Sequence, residues 1–244
     1  MNLPSPDEKR RFVERMFDEI APRYDLVNRV MTFGLDRPWR RQAVRALRVG
    51  PGSRVLDVGC GTGDLVADVE RTGAMVVGID LSAEMIASGR KRLEGRSFVR
   101  GDAQCLPFAD ATFDGFVSGF ALRNFDSIPA AMGEAARVLK PAGRFSLLEV
   151  NVPRSAAART MFTLYFTRVV PSIGGLLSRR FAYDYLAASL RYLPEPARFR
   201  DILTAAGFVG IRRRVLFAGA AQLVTAVRAP ATSRDHDELL ADAS

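Results

Sequence analysis

Apolar residues recur at two different spacings along this chain. Between residues 7 and 49, Phe12, Met16 and Ile20, and then Leu26, Val27, Val30 and Met31, fall close to the three-to-four-residue step that lines one face of a helix. Pro22 interrupts the first run and Gly34 the second. Asp36-Arg37-Pro38-Trp39 opens a third helix, with Asp36 as its cap and Pro38 in the first turn, where a missing amide hydrogen costs nothing. From Gly52 the rhythm changes. Short apolar runs at 55–58, 74–79, 97–100, 112–118 and 143–150 predict strands. The segments 64–71, 82–94 and 127–139 between them predict helices, with Ser82 capping the second and Pro141 stopping the third. Strand–helix alternation of this kind makes a parallel sheet covered on both faces, an α/β fold.

Residues 154–206 break that rhythm. They read as amphipathic helix and carry the aromatics Phe162, Tyr165, Phe166, Phe181, Tyr183, Tyr185 and Tyr192. Residues 207–217 and 222–228 then read as two final strands, an antiparallel closing pair. The expected organisation is one domain over 1–228, with a helical cap at 7–49 and a helical insertion at 154–195, followed by a small, polar, frayed tail at 229–244.

Composition narrows the chemistry. A chain of 244 residues, 48% hydrophobic and 25% charged, builds a core that needs no disulfide or metal staple. Its two cysteines, Cys60 and Cys105, and its one histidine, His236 in the tail, exclude zinc fingers and leave no core histidine for a nucleophilic triad. Both cysteines read as packing residues rather than nucleophiles. No apolar run approaches the roughly 18 residues of a spanning helix, and residues 1–14 alternate charges without an apolar signal segment. A reducing cytoplasm is the expected location. The net charge of +8 is informative once located: eleven arginines face three acids between Arg154 and Arg214. A basic surface suits nucleic acid, an anionic membrane or an acidic ligand, while 32 arginines against three lysines are equally well read as composition bias.

The strongest local signal is Val55-Leu56-Asp57-Val58-Gly59-Cys60-Gly61-Thr62-Gly63. Glycines directly after a first strand let the backbone turn tightly and approach a ligand. Such a loop alone also fits nicotinamide and flavin cofactors. Asp57 decides between them: a carboxylate there repels a pyrophosphate and favours an ammonium group. Asp80 ends the next strand, where an acid accepts hydrogen bonds from ribose hydroxyls. Gly101-Asp102-Ala103 ends the third, where an acid can take an adenine amino group and a small residue leaves room for the ring. Three such landmarks at three successive strand ends point to S-adenosylmethionine, which carries an ammonium and no phosphate.

With these residues in place, the chain resembles the class I S-adenosylmethionine methyltransferases, whose fold is a seven-stranded, mostly parallel sheet with an antiparallel last strand. Further segments make the resemblance narrower. Phe17-x-x-Ile20-Ala21-x-x-Tyr24-Asp25-x-x-Asn28-x-x-Met31-x-x-Gly34, followed by Arg37 and Trp39, is similar to the N-terminal signature of the ubiquinone/menaquinone biosynthesis C-methyltransferase family. Ser118-Gly119-Phe120-Ala121-Leu122-Arg123-Asn124 is similar to its second signature, with one residue added or shifted, and Leu147-Leu148-Glu149 and Tyr183-x-Tyr185-Leu186-x-x-Ser189 also match. Near the end, Val224 stands where the family often has histidine.

The resemblance implies C-methylation of a prenylated quinol, demethylmenaquinol in the first place, with a ubiquinone-pathway benzoquinol or a diverged aromatic as alternatives. It implies a cofactor pocket made by Asp57, Gly59, Gly61, Gly63, Asp80, Leu81, Asp102, Ala103 and Ser118. It implies a catalytic group of Tyr24, Asp25, Arg123 and Asn124, and no metal. An aromatic carbon attacks a methyl sulfonium only when a neighbouring hydroxyl is deprotonated, so the substrate is expected in its reduced form. Asp25, Tyr24 or a bound water are the candidate bases. Arg123 is too basic for that role and suits stabilising a quinolate, with Asn124 as a donor beside it.

A greasy substrate also gives the insertion a purpose. Met161, Phe162, Leu164, Tyr165, Phe166, Val169, Val170 and Ile173, flanked by Arg154, Arg159, Arg168, Arg179 and Arg180, could line a tail channel or rest on anionic lipid at the inner face of the plasma membrane. A lid core or a homodimer interface stays open for the same stripe. A nucleic-acid methyltransferase is disfavoured, since no Asn-Pro-Pro-Tyr-like base-flipping motif and no added basic module is present. Asp57 disfavours a nicotinamide oxidoreductase, and Tyr24, Asp25 and Arg123 disfavour a non-catalytic cofactor-binding regulator.

Overall fold

A computed structural model of the chain describes residues 6–32, 34–153, 155–169, 185 and 188–230. The first helix, α1 (Pro6–Ile20), ends at Pro22 in a tight turn over Ala21–Arg23, and α2 (Tyr24–Met31) and α3 (Asp36–Leu47) follow. Then come β1 (Arg54–Val58), α4 (Asp64–Glu70), β2 (Met75–Asp80), α5 (Ala83–Arg92), β3 (Ser97–Arg100) and β4 (Phe113–Gly119). After these lie α6 (Ile128–Val138), β5 (Leu139–Val150), α7 (Ala156–Leu164), α8 (Pro196–Ala205), β6 (Phe208–Leu216) and β7 (Ala221–Arg228). The seven strands form one sheet in the order β3-β2-β1-β4-β5-β7-β6. All neighbours are parallel except that β7 runs antiparallel to both β5 and β6. The order reverses between β1 and β4, and the loops at the carboxyl ends of these two strands flank the crevice where open α/β sheets bind ligands.

The central strands β1 and β4 are buried on both faces, as parallel strands under helices must be, while the edge strand β6 is largely exposed. One core packs Phe116, Phe145 and Phe208 with Met132 of α6 and Leu203 of α8; Phe116 and Phe145 stack at 5.4 Å between ring centres. The other sets Val55, Val117 and Leu148 against α3 and α4. A third, smaller cluster packs Val13, Met16 and Ile20 of the cap against Met85 of α5 and Tyr185 of the insertion. Ser82 caps α5 as predicted, accepting the Met85 amide at 3.1 Å.

Two local expectations are corrected. Asp36 does not cap α3: Leu35 holds that position, and the Asp36 carboxylate instead accepts from Thr32 Oγ1 at 2.7 Å and pairs with Arg40. An acid in the first helical turn is drawn to a cation one turn on when both are buried. Pro141 does not follow α6 as a stop. The helix already ends at Val138, and β5 begins at Leu139, running through Pro141. The ladder shifts between the pairs Phe113–Leu139 and Gly115–Arg144, so Pro141 sits in a bulge, where its missing amide hydrogen breaks no ladder bond. Of the predicted insertion, Arg154, Val170, Ile173, Arg179, Arg180, Phe181, Tyr183 and Leu186 lie outside the described residues, as does the tail from 231. No described helix is long and apolar enough to cross a membrane.

Candidate active site

Two cavities lie side by side at the carboxyl ends of the central strands, sharing Phe17, Tyr24, Phe120 and Asn124 as a common wall. The first is a cleft floored by Gly59 and Gly61 after β1, walled by Asp80 and Leu81 after β2 and by Asp102 and Ala103 after β3, and roofed by Arg10, Val13, Glu14 and Phe17 of α1. The loop lies tightly over the end of β2, the Gly59 and Cys60 amides both donating to the Ile79 carbonyl at 2.8 and 3.1 Å. Gly59 has φ +68°, and a Cβ there would stand 2.4 Å from the Ala121 Cβ, so only glycine fits. Asp80 uses one oxygen on the Gly61 amide at 2.8 Å and the other on the Ser82 amide at 3.0 Å. Burial pushes its carboxyl above the usual range, partly offset by those amides. Asp102 accepts the Gln104 amide at 2.9 Å and pairs with Arg10 of the roof at 3.1 Å. The roof is further held by Glu14 on Arg100 and by Asp18 accepting from Ser82 Oγ at 2.6 Å.

Asp57 is more deeply placed than expected. It is fully buried beneath the loop and forms no part of the cleft wall, and its oxygens make no well-formed hydrogen bond among the described residues, the Val66 amide being a weak neighbour only. Burial, with Asp80 and Asp64 nearby, pushes its carboxyl well above the ordinary range; the Val66 amide and Arg40 offset part of this. A buried, unpaired carboxylate under a glycine loop suits a cationic ligand group, and the cleft above it offers acids at the two further strand ends where a ribose and an adenine would need them. The residues present therefore fit S-adenosylmethionine.

Three assigned residues have other duties. Ser118 lies away from the cleft; its buried hydroxyl donates to the Val58 carbonyl at 2.7 Å and ties β4 to β1. Gly63 also lies off the wall: at φ +86° it starts α4, and a Cβ there would meet the Phe98 ring at 2.7 Å. Asp25 lines neither cavity. Its carboxylate accepts from Thr62 Oγ1 at 2.5 Å and pairs with Arg92 at 3.0 Å, fastening α2 to the glycine loop. Cys105 is exposed rather than packed, while Cys60 is buried and its thiol pushed up by desolvation.

The second cavity has a volume of about 480 Å³ and is mainly apolar. Met16, Ile20, Leu35, Trp39, Val150, Met161, Phe162, Tyr165 and Phe217 supply its walls. Phe120, on the wall shared with the cleft, holds φ +59°, a backbone conformation rarely adopted by bulky residues and often found where a site over-determines it. Polar side chains in its lining include Arg123, Asn124, Tyr24 and Tyr185, with Asn28 and Thr32. Arg123 is buried, and its guanidinium pairs with Glu149 of β5, which is fully buried and also accepts the Val150 amide at 2.8 Å. In the sequence Glu149 stands out only as a matching motif position; its place as the counter-ion follows from the β4–β5 pairing. Tyr24 lines both cavities, and burial pushes its phenol far up, so it stays protonated.

Against this geometry, known proteins are informative. The family model described as "ubiE/COQ5 methyltransferase family" matches residues 5–228. A demethylmenaquinone methyltransferase of Thermus thermophilus is 43% identical over 216 residues, 85% of this chain and 97% of that protein. A ubiquinone/menaquinone biosynthesis C-methyltransferase of Geobacter sulfurreducens is 38% identical over 89% of each chain. Among solved structures, an S-adenosylmethionine-dependent methyltransferase of Thermotoga maritima superposes with a TM-score of 0.63 at 19% identity, covering 88% of this chain and 99% of that one. A Haemonchus contortus phosphoethanolamine N-methyltransferase, solved with S-adenosylhomocysteine, superposes at 0.59 and 18% identity over 77% of this chain and 52% of its own. At such identities the structural likeness concerns the fold.

Proposed function

The chain belongs to the ubiE/COQ5 methyltransferase family, and from that premise we propose that this S-adenosylmethionine-dependent C-methyltransferase methylates a ring carbon of a prenylated naphthoquinol, demethylmenaquinol. The observation that carries the substrate class is the apolar cavity of about 480 Å³ that shares one wall with the cofactor cleft. It lies within the ordinary range for an enclosed small-molecule site and suits a fused aromatic ring with the start of an isoprenoid tail. The tail would leave by the mouth, where Met161 and Phe217 line the cavity and are also 72% and 60% exposed.

S-adenosylmethionine, when bound, supplies an electrophilic methyl group on a sulfonium. Asp57 balances the cofactor's positive amino-acid end from below, Asp80 accepts from its ribose, and Asp102 and Ala103 receive the adenine. Phe17, Tyr24, Phe120 and Asn124 form the boundary across which ring carbon and methyl must meet in line, about 3–3.5 Å apart. The Arg123 guanidinium stabilises the quinolate oxygen, and Asn124 donates beside it. Tyr24 stays protonated, so it donates rather than accepts. Asp25 is held by Thr62 and Arg92, away from both cavities. These two are therefore not the base, and the proton leaves through water. The same reading seats the mouth peripherally on an anionic membrane: Leu164 and Val169 are exposed beside Arg168, which offers apolar insertion next to positive charge.

The test is methyl transfer from labelled S-adenosylmethionine to short-chain demethylmenaquinol, run reduced and oxidised beside a benzoquinol analogue. Transfer to the reduced naphthoquinol alone is expected. Equal transfer to the oxidised form would overturn the quinolate mechanism. Transfer to the benzoquinol alone would move the substrate to the ubiquinone pathway.

A further inference from the structure

Two residues that line the large cavity each carry a buried polar atom without a partner among the described residues, and together they define how a ring is read. Buried polar atoms are paired in the great majority of cases, and each exception calls for an explanation. Among the described residues the buried unpaired side-chain atoms belong to Arg40, Asp57, Arg123 and Tyr185. Two of these four, Arg123 through Nε and Tyr185 through its hydroxyl, line the same cavity.

Tyr185 is only 1% exposed, and its ring is in place for packing: it sits 5.0 Å from Phe12 and joins the cluster that seats α1. A phenylalanine would serve that purpose equally well. The hydroxyl is the part the fold does not use. Burial raises the phenol's pKa, so it remains a donor at any working pH, and it lies close enough to Arg123 to feel that charge.

We propose that the Tyr185 hydroxyl is a substrate-binding group, donating a hydrogen bond to the quinol ring oxygen that Arg123 does not hold. This rests on the quinol reading above. A quinol carries two oxygens on opposite sides of its ring, and a mainly apolar cavity must offer each a partner or reject it; Arg123 and Tyr185 are the lining residues whose buried polar atoms the fold leaves unused. Arg123, already charge-balanced by Glu149, takes the oxygen that becomes anionic; the neutral phenol takes the other. Two donors of different charge orient the ring, and so select which carbon faces the cofactor cleft.

The experiment compares the whole protein with Tyr185→Phe. Trp39, the chain's single tryptophan, lines the cavity, so quenching of its emission reports occupancy without turnover. The probes, held anaerobically, are a short-chain naphthohydroquinone and the two mono-hydroxyl analogues that each lack one of its oxygens. Tyr185→Phe is expected to bind the diol about tenfold more weakly, to show the same loss with one mono-ol, and to match wild type with the other. Ligand-free Tyr185→Phe is expected to melt no lower than wild type, since it loses only an unpaired hydroxyl. Unchanged diol binding, or an equal loss with all three ligands, would overturn the proposal. Wild-type methylation of the quinol alongside such a result would leave the quinol reading intact. Wild type that bound cofactor but no quinol would overturn that reading and this proposal with it.

Discussion

Removing one partner of the Arg123–Glu149 pair is the sharpest perturbation the structure offers. Glu149 is fully buried in β5 and Arg123 is 5% exposed. The carboxylate accepts from the guanidinium, from the Arg123 amide at 3.4 Å and from the Val150 amide at 2.8 Å. Glu149→Gln keeps shape and hydrogen-bonding capacity but leaves the guanidinium charge uncompensated in a low-dielectric site. Stranding a buried charge this way costs about 3–5 kcal/mol. For a chain of this length each kcal/mol moves the melting temperature by about 2–4 °C, so a fall of roughly 6–20 °C is expected. Arg123→Met alone strands the carboxylate and is expected to cost a comparable amount. The double variant removes both charges and is expected to recover most of the loss, giving a coupling of at least about 2 kcal/mol. Urea unfolding followed by Trp39 emission measures all four corners of the cycle, with an unchanged slope confirming that stability alone has moved. Neither residue lines the cofactor cleft, so cofactor affinity in folded Glu149→Gln stays near wild type. A single-variant loss below about 1 kcal/mol, or simple additivity in the double variant, would refute the buried-pair account.

Asp57→Asn is expected to stabilise the cofactor-free protein by about 1–3 kcal/mol while weakening cofactor binding, read by urea unfolding and calorimetry respectively. Because the Asp57 carboxyl is raised in the folded protein, its contribution is intact below the ordinary carboxylate range and is lost as pH rises through the shifted value. The wild-type urea midpoint should therefore fall with rising pH more steeply than that of Asp57→Asn. Gly59→Ala forces a Cβ to 2.4 Å from Ala121 at a positive φ, and should lower stability by about 1–3 kcal/mol and abolish cofactor binding; retention of wild-type affinity would show that the loop relaxes freely. Leu164→Glu with Val169→Glu is expected to reduce co-sedimentation with anionic vesicles without changing turnover of a soluble short-chain quinol. Equal sedimentation of variant and wild type would place the membrane seat elsewhere.

The elements that were legible in the sequence are those with local causes. The run Val55–Val58 into three glycines, the Ser82 cap and the break at Pro22 each depend on neighbours within a few residues, and each stands where the pattern put it. Side-chain placement was legible where backbone position settles it, as for Asp80 at the end of β2 and on the wall of the cleft. Asp25 looked like a base until Thr62, 37 residues on, was seen to engage its carboxylate. Ser118 is expected at the cofactor from its sequence position, and its hydroxyl is engaged by Val58, 60 residues back, while the next residue, Gly119, lines the cleft. Glu149 carried no visible chemistry until β4 and β5 paired and set it beside Arg123. Pro141 misled because a proline punctuates strands at bulges as readily as it ends helices.

The unpaired atoms suggest why this fold leaves such work unfinished. Away from the site buried polar side chains are mostly paired: Ser146 donates to the Ala43 carbonyl at 2.9 Å and Ser118 to the Val58 carbonyl at 2.7 Å, and Arg40, though its Nε lacks a hydrogen bond, still meets Asp36, Asp64 and Asp68 and ties α3 to α4. At the site the pattern inverts. Asp57 carries two oxygens without well-formed partners beneath the cleft, and Arg123 and Tyr185, which line the cavity beside it, each carry one buried unpaired donor. Signs follow position: acceptors lie under the side that must hold a cation, and donors line the side that must hold a developing anion. Each such atom costs the empty protein about 1–3 kcal/mol, which a correctly charged ligand returns on binding. A groove that had already satisfied these groups would be more stable, but it would have to break those bonds before holding either reactant. On this argument Asp57→Asn and Tyr185→Phe belong together: each should make the empty protein firmer and the occupied one weaker. Either variant found both less stable when empty and unimpaired in binding would mean that its polar atoms serve the fold and not the reaction.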